Sequence, residues 1–151
     1  MESTITVQQT PTVLRIGTVG IIATAIAISL NGFWLKICER YLDISLQIPQ
    51  ALGSTEYIPL TQVRVALSTG AAGLVGIVGA FLLVKFVDSA QVWCLIVGLG
   101  IGFASLYGAL TLPKQTLHQH LALAMTHAIA TFIIVPAITW SISRPSTPAD
   151  Q

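Results

Sequence analysis

The run at residues 65–84, VALSTGAAGLVGIVGAFLLV, contains no charged side chain and lies between Arg64 and Lys85. Its 20 residues, at a helical rise of about 1.5 Å each, extend ~30 Å, which is the thickness of the hydrocarbon core of a bilayer. The run therefore predicts a transmembrane helix. Three further runs are also uncharged and long enough to cross, which gives four in the chain: residues 16–35, 65–84, 89–113 and 115–143.

The composition agrees with a chain that lies mainly in lipid. Of the 151 residues, 54% are hydrophobic and 9% are charged, whereas soluble domains contain about 25% charged residues. We therefore predict an all-α, polytopic membrane protein, a four-transmembrane-helix bundle with one longer loop between helices 1 and 2. The predicted helices are residues 12–36, 62–86, 89–112 and 117–143, in a transmembrane domain at 11–143 with disordered segments at 1–10 and 144–151.

The distribution of charge bears on partners and orientation. A net charge of +1 without a basic cluster argues against nucleic acid as a partner and leaves the lipid bilayer as the expected one.

The segment before the first run lacks the basic start of a signal peptide, so we interpret the run as a retained helix. Four crossings place both termini on one side. That side carries three basic residues against four opposite, too small a difference to orient the chain.

The longest segment outside the uncharged runs is residues 36–63. Tyr41, Ile44 and Ile48 recur in it at helical spacing. This pattern is typical of a short amphipathic helix that lies on the membrane surface. We therefore expect the part of the loop that contains these three residues to lie on the membrane surface as a short amphipathic piece.

Small residues mark the predicted contact faces of helices 2 and 3. Glycine costs a helix about 1 kcal/mol relative to alanine in water, but in lipid it lets a neighbouring backbone approach closely. At 100° per residue the small residues of helix 2 gather on one face, and those of helix 3 form a narrower stripe. Such faces pack either within one bundle or between copies in a homo-oligomer. The predicted packing residues are Ala72, Gly73, Gly76, Gly79, Ala80, Gly98 and Gly102.

The residue types needed for catalysis or metal binding do not form a recognisable pattern. Cys38 and Cys94 are predicted near opposite membrane surfaces, roughly 20 Å or more apart, which is too far for a disulfide. All three histidines lie in helix 4, and His120 and His127 are about 10 Å apart along its axis, too far for one metal ion. We therefore predict no catalytic residues, no metal site and no cofactor, and expect a protein that is not an enzyme.

One ionisable residue falls deep within a predicted span. His127 lies about 3 Å from the midpoint of its run, and Asn31 about 8 Å from the midpoint of its own, both displaced toward the surface that carries loops 1 and 3. We hypothesise a polar pocket in this half of the bundle. The alternative is that these groups only bond one another across helices. The candidate binding residues are Asn31, Ser68, Thr69, Ser105, Tyr107 and His127.

Two stretches of the chain resemble a known family. Residues 57–76, YIPLTQVRVALSTGAAGLVG, and 121–138, LALAMTHAIATFIIVPAI, are similar to small bacterial four-helix membrane proteins classed as a domain of unknown function. In that family methionine directly precedes histidine, whereas here Thr126 separates Met125 from His127. The resemblance implies a multi-pass protein of the bacterial inner membrane with cytoplasmic termini, and it implies no activity.

Three functions are compatible with these patterns. The favoured one is a non-enzymatic bundle that binds a protein partner or a lipid. The second is a small oligomeric transporter or channel subunit, although no glutamate lies within the uncharged runs. The third is a quinone- or lipid-binding redox subunit that uses the pocket around Asn31 and His127.

Overall fold

The structure is a computed structural model that describes residues 9–50 and 54–143, with side chains described from Val13 onward. Four long helices and two short strands make up this part of the chain. Each helix contains a stretch that is long and apolar enough to cross a membrane. The prediction of an all-α, four-helix membrane bundle is therefore confirmed. The elements are α1 (Gln9–Tyr41), β1 (Gln47–Pro49), β2 (Tyr57–Pro59), α2 (Gln62–Phe86), α3 (Ala90–Leu110) and α4 (Leu117–Ser143).

Helix α1 is longer than the sequence pattern predicts. It continues past Lys36 to Tyr41, and Arg40 in its last turn interacts favourably with the helix dipole. The helix stops because Asp43 adopts a left-handed conformation with a φ of 52°, after which the Ile44 amide donates to the Cys38 carbonyl at 2.9 Å. Residues 9 and 10 also belong to α1, while 1–8 and the tail at 144–151 lie outside the described residues.

After α1 ends at Tyr41, the connection to α2 forms a small sheet, so the expectation of an amphipathic piece over residues 41–48 is wrong. Strands β1 and β2 pair antiparallel, with Ile48 opposite Ile58. Pro49 explains the difference, because the residue before a proline is disfavoured in the helical region and favoured in extended structure. The sheet lies over the α3–α4 connection, where the Tyr57 hydroxyl donates to the Pro113 carbonyl at 2.7 Å.

The helices do not pack evenly around the bundle. Helix α4 lies between α1 and α3, α2 packs mainly against α1, and the contact between α2 and α3 is much smaller. Hydrogen bonds join α1 to α4 near both ends: the Trp34 indole donates to the Ala122 carbonyl at 3.0 Å, and the Arg15 guanidinium donates to the Ser141 carbonyl at 2.7 Å. The bundle is therefore closed along α1 and α4 and open between α2 and α3.

Several glycines occupy positions where two helices approach closely. A β-carbon at Gly73 would collide with Thr24 of α1, and one at Gly102 would collide with Thr131 of α4. A β-carbon at Gly98 would lie 2.8 Å from a methyl group of Val135 in α4. These glycines are contact surfaces within a single bundle.

The outer surface of the four helices is apolar. Large hydrophobic side chains are exposed along each of them, including Ile21 and Ile22 on α1, Leu74 on α2 and Phe103 on α3. A soluble protein rarely exposes so continuous an apolar surface, whereas a bilayer requires one. The chain is therefore a multi-pass membrane protein.

Candidate functional site

A long cavity separates α2 from α3, and α4 forms its floor. Its volume is about 660 Å³. The α2 wall carries the small residues Ala72, Gly76 and Gly79, and a β-carbon at Gly79 would meet no atom within 4 Å. Small side chains without an opposing bulky residue leave this space unfilled. We call this cavity the α2–α3 groove.

The groove extends over most of the membrane. Its lining on α2 reaches from Arg64 to Leu83, 19 positions that correspond to ~28 Å of helix. Ile48 of β1 and Leu60 line the end nearest the sheet. At that end the Arg64 guanidinium donates a short hydrogen bond to the Pro59 carbonyl. Among residues 9–50 and 54–143, no carboxylate forms an ion pair with Arg64.

Asn31 is the most deeply buried polar residue of the groove. Its side chain is 1% exposed, and its Nδ2 donates to the Thr69 hydroxyl at 3.2 Å, which joins α1 to α2. Its Oδ1 accepts no hydrogen bond from any described residue. A buried amide oxygen without a partner costs about 1–3 kcal/mol. A ligand that donates a hydrogen bond to this oxygen therefore removes that cost.

Three hydroxyl groups of the groove donate their protons to carbonyls of their own helices. Ser68 donates to the Val65 carbonyl at 3.1 Å, Ser105 to the Gly102 carbonyl at 3.0 Å, and Thr126 to the Leu123 carbonyl at 2.7 Å. A hydroxyl that already donates its proton can still accept hydrogen bonds through the lone pairs of its oxygen. The hydroxyls therefore offer acceptors to the groove.

His127 lines the groove from α4 and is half-buried. Within the described ranges no residue forms a hydrogen bond with its imidazole, and its ring nitrogens are not enclosed as those of a core histidine are. A neutral imidazole offers one donor and one acceptor. His127 therefore has an N–H at this end of the groove that is not hydrogen-bonded to a described residue.

The remainder of the groove is apolar. From Ala72 to Leu83, 11 positions or ~16 Å along α2, its lining contains no ionisable side chain apart from the buried thiol of Cys94. Val97 and Ile101 line this part from α3, and Ile134 and Ile138 from α4. The site thus has a short polar end and a long apolar end.

The groove brings together five of the six candidate binding residues. Tyr107 is the exception, since it is 70% exposed and does not line the groove. It lies two positions beyond Ser105, and two positions turn a helix by about 200°, so it faces the opposite way at nearly the same depth. The five residues that do line the groove are Asn31, Ser68, Thr69, Ser105 and His127.

Three polar residues of the groove, Arg64, Thr126 and Thr131, were missing from the sequence-based set. Arg64 was treated only as the boundary of an uncharged run, although the start of a membrane helix is where a basic side chain meets the mouth of a cavity. Thr126 directly precedes His127 and lies about 100° from it, close enough to share a broad face. The sequence feature that could have identified Thr126 as a groove residue is its position next to the histidine in the middle of the span.

The predicted packing residues divide between two environments. Gly73, Gly98 and Gly102 face bulky side chains of neighbouring helices. Gly79 faces open space, and a β-carbon at Gly76 would lie 3.3 Å from Ile138 of α4. Ala72 lines the groove and is exposed, whereas Ala80 lines it and is buried.

The cysteines and histidines do not form a reactive cluster in the part of the chain that is described. Cys38 and Cys94 are free and buried, Cys38 in the core near the sheet and Cys94 in the core at the opposite end. No group of three or more histidine, cysteine, aspartate or glutamate side chains among these residues could hold a metal ion. The side chains that line the groove offer hydrogen bonds and apolar contact to a ligand.

Comparison with known proteins gives a family and no activity. A family model described as a family of unknown function, DUF6069, matches residues 11–144. The chain therefore belongs to this family, in agreement with the resemblance to a domain of unknown function. No curated protein and no solved structure matches the chain.

Proposed function

We propose that this member of the DUF6069 family is a non-enzymatic lipid-binding protein that holds one lipid chain in the α2–α3 groove. The observation that supports the proposal most strongly is the shape of the groove: an elongated apolar space, with a cluster of polar groups at one end only. A lipid has the same division into a long apolar part and a short polar part. The groove also lies between two membrane helices, so a lipid reaches it laterally from the bilayer.

The volume of the groove favours one chain. Taking ~30 Å³ per non-hydrogen atom, the volume of a water molecule in the liquid, 660 Å³ accommodates roughly 20 atoms. That number corresponds to one long hydrocarbon chain with a small headgroup.

Apolar contact alone does not make this a specific site. A lipid tail leaves one apolar environment for another when it moves from the bilayer into the groove, so the hydrophobic effect contributes little. The free energy of binding must come from close packing along the chain and from hydrogen bonds at the polar end. The Asn31 oxygen without a partner and the uncommitted His127 imidazole are the groups that supply those bonds.

A substitution that fills the groove tests the proposal. Gly79→Leu places a side chain in the groove at a position where a β-carbon meets no atom within 4 Å, so the fold tolerates it. Gly100→Leu is the matched control, because Gly100 is also unobstructed but does not line the groove. Native mass spectrometry of protein released from mild detergent should detect one bound lipid on the wild type and on Gly100→Leu.

The Gly79→Leu variant should be released without that lipid. Equal lipid retention by both variants would contradict the proposal, and so would a wild-type protein without bound lipid. A dimer that Gly79→Leu alone dissociates would also overturn it, because a second copy would then occupy the groove.

We place the protein in the inner membrane, with both termini in the cytoplasm. Resemblance to bacterial four-helix membrane proteins supports this assignment, since the basic residues divide almost evenly between the two sides. Reporter fusions at residue 151 and in the loop near residue 52 test it. Cytoplasmic activity of the first and external activity of the second are expected, and the reverse pattern would contradict the orientation.

A further inference from the structure

We infer that the polar end of the α2–α3 groove selects an uncharged, single-chain lipid with hydroxyl groups, of the monoacylglycerol type. This inference rests on the proposed lipid-binding function and adds the chemistry of the headgroup. It follows from an inventory of which polar atoms in the groove are already hydrogen-bonded and which are not.

The α2 and α3 walls of the groove present hydroxyl oxygens as hydrogen-bond acceptors. The hydroxyl protons of Ser68 and Ser105 are donated to carbonyls of their own helices, which leaves their oxygen lone pairs available. Both serines line the groove. A ligand that only accepts hydrogen bonds forms none with these serine oxygens. A ligand hydroxyl, in contrast, donates a hydrogen bond to them. The serines therefore favour a ligand with O–H groups.

Asn31 strengthens the same preference from a buried position. Its Nδ2 is engaged by Thr69 at 3.2 Å, and its Oδ1 accepts nothing from the described residues. Because Asn31 lines the groove, a ligand hydroxyl is the donor that we assign to this oxygen. Binding then satisfies an atom that is unsatisfied in the free protein, a gain that a ligand without a donor does not provide.

The charge at the groove mouth excludes the other common donor, an ammonium group. Arg64 lines the groove and forms no ion pair with a described carboxylate. Its positive charge repels a cationic headgroup. An anionic headgroup would face the acceptors Ser68, Ser105 and Asn31 on the groove wall, and like partial charges there disfavour it. A neutral hydroxyl is compatible with both features.

The imidazole N–H of His127 suits the ester carbonyl of such a lipid, which accepts a hydrogen bond. Its imidazole has an N–H without a partner among the described residues, and it lines the groove from α4, opposite the serine of α2. A monoacylglycerol carries two hydroxyls that donate and one ester carbonyl that accepts. The hydroxyls match the serine and asparagine oxygens, and the carbonyl matches the histidine N–H.

Three probes with the same oleoyl chain test the inference on the full-length protein in detergent. They are monooleoylglycerol, methyl oleate, which keeps the ester and lacks hydroxyls, and oleoyl-lysophosphatidylglycerol, which is anionic. Binding is followed by native mass spectrometry and by the shift in thermal unfolding. Monooleoylglycerol should bind at least about tenfold more tightly than methyl oleate, as expected for a few membrane hydrogen bonds, and more tightly than the anionic lipid.

Two variants connect the preference to the named groups. Asn31→Leu and Ser68→Ala should each reduce the ratio of monooleoylglycerol to methyl oleate affinity. Ser68 is exposed, so Ser68→Ala keeps the test valid even if Asn31→Leu fails to fold. Leu74→Ala, on the outer surface of α2, is the control and should leave the ratio as in the wild type.

The outcomes separate this inference from the proposed function. If the neutral probes bind equally and Gly79→Leu abolishes both, the groove binds lipid chains but does not read hydroxyl groups, and the inference fails alone. Tighter binding of the anionic lipid would also overturn it. If none of the three binds, the proposed function fails as well.

Discussion

The two sides of the bundle use the same small residues to opposite effect. On the α4 side, Gly98 and Gly102 of α3 approach Val135 and Thr131, so that glycine and β-branched side chain fill one another's space. On the α2–α3 side, Gly79 faces no atom within 4 Å, and a cavity of about 660 Å³ remains. A small-residue stripe therefore indicates a close helix contact only where a bulky side chain opposes it.

Hydrogen bonding between helices shows the same contrast. The closed side has Trp34 and Arg15 of α1 bonded to carbonyls of α4 at its two ends. Across the open side, no hydrogen bond joins α2 to α3 among the described residues, and the polar groups bond locally or to α1. The closed side holds the bundle together, and the open side is available for a ligand.

The largest effect is expected from a bulky residue on the closed side. Gly102→Leu must displace Thr131 of α4, and overpacking of this kind costs about 1–3 kcal/mol, with more where backbone has to move. Unfolding in mixed micelles should show a free energy of unfolding lower by ~3 kcal/mol or failure to fold. Gly108→Leu, on the same helix and unobstructed, should unfold like the wild type. Equal stability of both variants would remove the distinction between the two sides.

An intermediate effect is expected at the junction of Asn31 and Thr69. Thr69→Val removes the acceptor of the Asn31 Nδ2 and leaves the whole amide unsatisfied, which should lower the free energy of unfolding by about 1–2 kcal/mol. Asn31→Leu removes the amide together with its unpaired oxygen, so the free energy of unfolding of this variant should equal or exceed that of the wild type. The two variants are compared under identical micelle conditions. A less stable Asn31→Leu than Thr69→Val would show that Oδ1 has a partner.

The smallest effect is expected within the groove itself. Gly79→Ala adds a methyl group in open space, and the gain in helix propensity is at most about 1 kcal/mol, so the free energy of unfolding should stay within ~0.5 kcal/mol of the wild type or rise slightly. Gly73→Ala, which meets Thr24 of α1, provides the comparison and should be clearly destabilised. Similar losses in both would mean that α2 and α3 pack more closely than the structure indicates.

Much of the fold could be predicted because charge is so sparse in this chain. Uncharged runs of at least 20 residues identify all four spans without any knowledge of packing. The extension of α1 to Tyr41 and the β1–β2 sheet were missed, because outside the bilayer the backbone depends on local conformations. The left-handed Asp43 and the extended residue before Pro49 decide that segment, and hydrophobic spacing does not report either.

The sequence predicts how deep in the membrane each site residue lies, but it does not predict which way the side chain faces. Counting residues from the run midpoints placed Asn31, Ser105 and His127 in one half of the bundle, and the groove contains all three. The same count placed Tyr107 with them, although it faces outward. Depth follows from helical rise alone, whereas direction depends on which helices are neighbours. The gap between α2 and α3 is a property of that arrangement and has no local sequence signal.

Photo-crosslinking tests the lipid-binding claim most directly. A monoacylglycerol with a diazirine in its chain is added to the protein in detergent, irradiated, and its attachment sites are mapped by mass spectrometry. The account predicts labelling of Ala130, on the α4 floor, and Val97, on the α3 wall, that excess monooleoylglycerol suppresses. Uniform labelling that excess lipid leaves unchanged, with Ile21 and Ile22 of the outer surface marked as strongly as the groove, would contradict it.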